Sequence, residues 1–269
     1  MTMSKSTQAI VPNCHVIKIG GSTLANLSEA FIKSLKRRVA TGQNIIVVHG
    51  GGPNINEALA HHGIVSETID GIRVTTPEMI ATIRNILIGE VNSGLVGKIN
   101  ASGISAAGLS GFDGVFTSDY LEQEIYGEVG VVTDVNALKF KLFLKGGIIP
   151  VVACIGTSAT GDPLNINADT LAAGIASGVQ AESLLLVTDT PGIKKDGVTV
   201  TAASEQDIRK WVANGIIYGG MIPKVQAALD CLESGVKAVQ ITDDTLVGTT
   251  VQATNPLITR LTKEVHTNA

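Results

Sequence analysis

Aromatic side chains are scarce in this chain: one tryptophan, three tyrosines and five phenylalanines in 269 residues. A core with so few rings is made of small aliphatics, and continuous Val/Ile/Leu runs suit strands buried on both faces of a parallel sheet. Cysteine is scarce too. Cys14, Cys154 and Cys231 lie far apart and form no CxxC pair, which argues for isolated reduced thiols rather than a disulfide framework or a zinc site. No apolar run approaches the ~20 residues of a membrane span. The opening MTMSKSTQAIVPNCH lacks the long apolar core of a signal peptide. With a net charge of −4 there is no broad basic field for nucleic acid. These absences leave a cytoplasmic enzyme or binding protein, with room for one large or two small domains.

What is present is a repeated alternation of strand-like and helix-like segments. VIKI precedes a helical stretch over about 27–40, and NIIVVHGGGP reads as a buried strand, a glycine turn and a helix over about 53–62. From 77 to 101 apolar residues follow a 3.6-residue period, predicting one long helix. GISAAGLSG, GGIIPVVACIG, SLLLV and KAVQITD read as further strands, and 204–214 and 222–234 as helices. Residues 114–136 break the pattern and read as a hairpin or ribbon. Lys33, Lys36, Arg37 and Arg38 read as a solvated helix face. The fold class is α/β, a mainly parallel central sheet covered by helices. Such sheets bind ligands beyond the carboxyl ends of their strands.

Two glycine clusters sit at strand ends, Gly20-Gly21 and Gly50-Gly51-Gly52. Each can bring backbone N–H groups close to an anion, with a helix start behind it; tight strand-to-helix packing is the other reading. Lys18 ends the first strand beside one of them and strengthens the anion reading. Familiar alternatives are missing: no GxxxxGK[ST], no GxGxxG, and no GxSxG to go with HGGGP. His49 therefore reads as a strand-end residue rather than a catalytic base. Arg73, on a turn before a proline-started helix, can bind a carboxylate through two parallel hydrogen bonds or simply lie on the surface. Asn165 and Asn167 fall on one side of an extended segment; Asn167 and Asp169 can equally cap the helix that follows. Lys224 follows a glycine turn, either as a second phosphate-facing lysine or as a lone snorkelling one.

KIGGS, VVHGGGP, DGIRVT, LNINAD, VTDTPGI and GGMIPK stand in this order over Val16 to Val251. In that order and spacing the chain resembles the amino acid kinase superfamily and, within it, the N-acetylglutamate kinase family, which phosphorylates a side-chain carboxylate in arginine biosynthesis. The resemblance implies a three-layer α/β/α sandwich with an eight-stranded, mainly parallel sheet. It implies an N-terminal lobe over 16–160 for N-acetyl-L-glutamate and a C-terminal lobe over 161–269 for ATP. Lys18 and Lys224 match lysines on the transferring phosphoryl group, and Asp169 the acid that orients both. Gly20, Gly21 and Gly52 match the turns facing the γ-phosphate; Gly51 and Gly52 also match the pair contacting the acylamino acid. Arg73 and Asn165 match residues holding its α-carboxylate, with Asn167 beside them. Asp189, Thr190, Pro191, Gly192, Ile193 and Lys194, with Ile216, Ile217 and Tyr218, match segments around the nucleotide. Magnesium would ride on the ATP phosphates with no dedicated protein ligands.

The resemblance also implies a homodimer through the long Met79–Ile99 helix. A PII-type regulator accompanies some family members, and no segment here points to one. The residues before Val16 lack a clear amphipathic stripe and ITDDTLVGTT is abrupt, so the reading is weak or absent arginine feedback. Two other functions stay open at this point: a carrier-protein-linked aminoadipate kinase, which keeps most of these motifs, and a non-catalytic amino-acid sensor on the same fold.

Overall fold

A computed structural model describes residues 11–252 except Asn26 and Asp70. Of the two segments on which the arginine-feedback expectation rests, residues 1–10 lie outside the described residues and 241–250 lie within them. The central sheet has eight strands. Across it the order is 202–204, 248–252, 238–242, 183–187, 14–19, 44–49, 149–153 and 106–109. All neighbours are parallel except 238–242 and 248–252, so the last two strands at one edge run against the rest.

The first strand, Cys14–Ile19, lies in the middle. The chain builds outward from it on one side through Asn44–His49, and returns much later to fill the other side with Ser183–Val187. Beyond such a reversal the loops on either side part and leave a crevice. Lys18 stands at this point, in register with Val48 on one side and Leu186 on the other.

Alternate residues of the strands enter two cores, one on each face. Val16, Ile46 and Val48 join one cluster with Leu171, Ile175, Val225 and Leu229 from the helices. Ile17, Ile19, Ile45 and Val47 join another with Phe31, Leu35, Leu95 and Ile99. This period-two division gives the α/β/α layering. The helix starts are set locally: Ser28, Asn136, Asn167 and Ser204 each accept a backbone N–H in the first turn that follows.

Three sequence expectations need correction. The long helix is not one α-helix: Pro77–Arg84 and Ser93–Ala101 are α-helical, but Asn85–Asn92 is a π-helix. Five of its buried apolar residues, Ile83, Leu87, Val91, Leu95 and Ile99, fall at every fourth position. With 3.6 residues per turn that spacing drifts about 40° per step, and a stretch of wider i→i+5 turns winds the stripe back. That stripe is spent inside the subunit, in the two cores. Second, GGIIPVVACIG is not one strand. It divides at Cys154 into Ile149–Ala153 of the central sheet and Ile155–Thr157 of a second, four-stranded sheet. The ribbon, Phe116–Tyr120 paired with Val129–Val135, belongs to that second sheet beside Pro163–Ile166. Third, Arg38 leaves the solvated face. It is half-buried and donates to Gln43 Oε1 and the Leu246 carbonyl, both at 2.9 Å; this burial lowers its pKa.

Candidate active site

Lys18 is held by Asp169, Nζ to Oδ1 at 2.9 Å, with the lysine side chain only 16% exposed. Asp169 sits in the first turn of the Ala168–Gly178 helix. There Asn167 Oδ1 accepts from the N–H groups of Asp169 and Thr170 at 2.8 and 3.1 Å. Asn167 thus caps the helix, and the cap fixes the backbone from which Asp169 reaches the lysine.

Lys224 occupies the first turn of Met221–Glu233 and pairs with Asp189, in the loop after Ser183–Val187. The hydrogen bond and charge of Lys224 hold the Asp189 carboxyl below its usual range. Where the expectation had Asp169 aiming both lysines, the structure pairs Asp169 with Lys18 and Asp189 with Lys224, so each lysine has its own aspartate. Both pairs line one cleft of about 300 Å³, together with Gly20, Thr23 and Thr188.

The glycine turns meet beside this cleft. A Cβ on Gly21 would lie 2.7 Å from both the Gly52 nitrogen and Pro53 Cδ, so only a bare backbone permits the approach. The Gly50 N–H donates to the Ile19 carbonyl at 3.2 Å, tying the two strand ends together. Gly51 is filled by packing, since its Cβ would come 2.8 Å from Leu87 Cδ2. At Gly52 a Cβ would meet nothing within 4 Å. Packing explains Gly21 and Gly51; it does not explain Gly52.

Arg73 and Asn165 lie on neighbouring elements. Arg73 donates to Asn56 Oδ1 at 2.6 Å and to Ser66 Oγ, and partial burial lowers its pKa. Asn165 Nδ2 donates to Thr75 Oγ1 at 3.0 Å. A larger cleft, about 780 Å³, opens between the ribbon strand Val129–Val135 and the helices 168–178 and 221–233. It shares Asp169 with the lysine cleft and is also lined by Asn167.

Of the segments matched to a nucleotide, Asp189 and Lys194 are exposed, Pro191 is exposed and Thr190 is half-buried, its N–H on Thr188 Oγ1. Gly192 and Ile193 are buried, and Ile193 N–H donates to Thr249 Oγ1 at 2.9 Å. Ile217 is buried, Ile216 half-buried and Tyr218 76% exposed. The side chains of Ile193 and Ile217 thus serve the core. These segments offer a ligand backbone groups, the Lys194 ammonium and the Tyr218 ring.

Residues that motif reading overlooked are Asn56 and Ser66, which hold the Arg73 guanidinium, Thr23 in the lysine cleft, and Thr75. Asn56 lies 17 residues from its partner, on the helix behind the second glycine turn. Among the described residues no three His, Cys, Asp or Glu side chains are grouped to hold a metal ion. The three cysteines are buried and unpaired, and burial pushes each thiol up to about 12.

His49 is fully buried. Its Nδ1–H donates to the Gly50 carbonyl and its Nε2 accepts from Asn92 Nδ2, both at 2.9 Å; Asn92 also donates to the Val151 carbonyl. This pattern requires the neutral ring, and burial lowers the pKa to about 4. An unfolded histidine titrates near 6.5, so between these values the unfolded chain binds a proton that the folded chain refuses. Stability therefore falls as pH falls through that window, by up to about 3 kcal/mol at pH 4. Urea melts at pH 7, 5.5 and 4.5 should show this loss in the wild type and a smaller loss in His49→Asn. Equal losses would contradict the buried neutral ring.

The model of the amino acid kinase family matches residues 13–243. An acetylglutamate kinase of Shouchella clausii is 41% identical over 227 residues, 84% of this chain and 88% of the relative. One of Geobacillus kaustophilus is 39% identical over the same shares. Among solved structures, the smu.665 protein of Streptococcus mutans UA159 superposes with a TM-score of 0.79 at 33% identity, covering 89% of this chain and 98% of its own. Carbamate kinase of Giardia lamblia, 13% identical with a TM-score of 0.62, shares the fold. On its strand order, its paired lysines and these matches, the chain belongs to the amino acid kinase family.

Proposed function

We propose that this chain transfers the γ-phosphoryl group of ATP to the side-chain carboxylate of N-acetyl-L-glutamate, giving N-acetyl-L-glutamyl 5-phosphate and ADP in arginine biosynthesis. The observation that carries the reading is the pair of lysines, Lys18 and Lys224, lining one cleft at the strand-order reversal beside two apposed glycine turns. The names of the relatives favour acetylglutamate over carrier-linked aminoadipate, and the intact charge pairs argue against a non-catalytic sensor.

A carboxylate is ionised at neutral pH and needs no general base, so the neutral, buried His49 fits. A carboxylate oxygen attacks the γ-phosphorus, the bond to the β-phosphate oxygen breaks, and ADP leaves with that electron pair. The obstacle is repulsion between two anions. The work of the chain is positioning and charge stabilisation. Lys18, aimed by Asp169, and Lys224 hold phosphoryl oxygens, and an incoming phosphate competes with Asp189 for Lys224. Backbone N–H groups of Gly20, Gly21 and Gly52 face the same oxygens, while Gly51, Arg73, Asn165 and Asn167 hold the acceptor. The segments Asp189–Lys194 and Ile216–Tyr218 flank the nucleotide. Magnesium carried on the nucleotide would offset phosphate charge, keeping water and phosphate oxygens as its ligands.

The same reading divides the chain into an acceptor lobe over 16–160 and an ATP lobe over 161–269, both contributing strands to one sheet. It places the enzyme in the cytoplasm; no described helix is long and apolar enough to cross a membrane. A homodimer would use the outer face of the 77–101 helix, where Ile88 is 37% exposed, since the inward stripe is already buried.

Hydroxylamine trapping with MgATP tests the substrate. N-acetyl-L-glutamate, glutamate, aspartate, and free and carrier-linked aminoadipate are compared. Hydroxamate with N-acetyl-L-glutamate alone is the expected result. Hydroxamate with carrier-linked aminoadipate alone would move the enzyme to lysine-type synthesis, and none from folded, ATP-binding protein would leave a sensor.

A further inference from the structure

Thr75 is a fully buried polar residue at the meeting point of two acceptor-site elements. Its backbone is clamped independently of its side chain. Thr75 N–H donates to the Tyr126 carbonyl at 2.9 Å, and Glu128 N–H donates to the Thr75 carbonyl at 2.7 Å. Gly127 between them has φ +72°, and a Cβ there would lie 2.2 Å from the Thr75 oxygen. The same Glu128 accepts the backbone N–H of Asn165 at 2.9 Å. Thr75 and Asn165 are thus brought side by side by one residue of the ribbon.

Their side chains then join. The Thr75 hydroxyl donates to the Arg73 carbonyl at 3.1 Å and accepts from Asn165 Nδ2 at 3.0 Å. A hydroxyl has one proton. Because that proton goes to Arg73, the face of the Asn165 amide turned to Thr75 must be its NH2 group. The second N–H and Oδ1 of Asn165 are left with a fixed orientation. A carboxylate next to an acylated nitrogen presents an acceptor and a donor on one carbon, which is the pattern that such an amide can read.

From this chain of bonds we infer that Thr75 is a positioning residue for acceptor recognition: its hydroxyl fixes which way the Asn165 amide faces and ties that amide to the backbone of Arg73. The inference rests on the proposed acetylglutamate kinase reading. Thr75→Val keeps the shape and removes the hydroxyl, leaving the amide free to turn over.

The test is steady-state kinetics of wild type, Thr75→Val and Thr75→Ser, with calorimetric titration of N-acetyl-L-glutamate. The valine variant should raise the acceptor KM and Kd about tenfold, the loss typical of one hydrogen bond to a charged ligand. Its kcat and its KM for ATP should stay within about twofold of wild type, and serine should restore the acceptor KM. In an Asn165→Ala background Thr75→Val should cost nothing further, because coupled residues are not additive. An unchanged acceptor KM in Thr75→Val, an equal rise in the KM for ATP, no rescue by serine, or full additivity with Asn165→Ala would each overturn the inference. If the valine variant does not fold, Thr75→Ala removes the same hydroxyl and is measured in the same way. Failure of the wild type itself to turn over N-acetyl-L-glutamate would instead refute the proposed function.

Discussion

Lys18→Ala lowers kcat by about 100- to 1000-fold, the cost of one preorganised charge-stabilising group, or ~3–4 kcal/mol. The loss should fall on kcat more than on either KM, because charge on the transferring oxygens is best matched in the transition state. The fold should survive. Lys18 is 16% exposed and its partner Asp169 38% exposed, so removing the ammonium leaves a carboxylate that water can reach rather than a sealed, uncompensated charge. Melting temperature and ATP binding, measured beside the rates, separate the two effects. Near-normal turnover would remove Lys18 from the chemistry.

Gly52→Ala should lose activity by about 100-fold while its stability holds or rises. Gly52 opens the Gly52–His61 helix, and alanine in place of glycine favours a helix by up to about 1 kcal/mol. No atom lies within 4 Å of the added methyl, so the folded chain accepts it. What the methyl occupies is the space through which a phosphoryl oxygen would approach the backbone N–H. Gly21→Ala is the contrasting case. Its methyl would strike the Gly52 nitrogen and Pro53 at 2.7 Å, so stability and activity should fall together. A Gly52→Ala enzyme with wild-type rates would show that no ligand comes close to that amide.

The sequence made the sheet legible because buried parallel strands are continuous apolar runs bounded by glycine, and Val16–Ile19, Ile45–Val48 and Leu184–Val187 have that form. It singled out Lys18 and Lys224 as lysines beside glycine turns, with a snorkelling side chain left as the other reading of Lys224. The pairing of the lysines was not readable. Asp169 and Asp189 are both near in the fold, and which acid takes which lysine depends on how two loops diverge at the sheet's reversal. The π-helix was hidden because apolar spacings of three and four residues suit an α-helix, and only burial reveals that every fourth position is used. Thr75 was masked by its neighbour: Thr76 before Pro77 is an obvious helix start, and nothing local says that the preceding threonine meets an asparagine 90 residues later.

The central claim is that a substrate carboxylate, not water, takes the phosphoryl group. It is tested by supplying N-acetyl-L-glutamate labelled with ¹⁸O in its side-chain carboxylate, with MgATP and hydroxylamine. Hydroxylamine attacks the carbonyl carbon of the acyl phosphate, so the bridging oxygen departs with the phosphate. The predicted result is inorganic phosphate carrying one ¹⁸O for each hydroxamate formed. Phosphate without label would mean that the chain hydrolyses ATP with water, and would contradict the account.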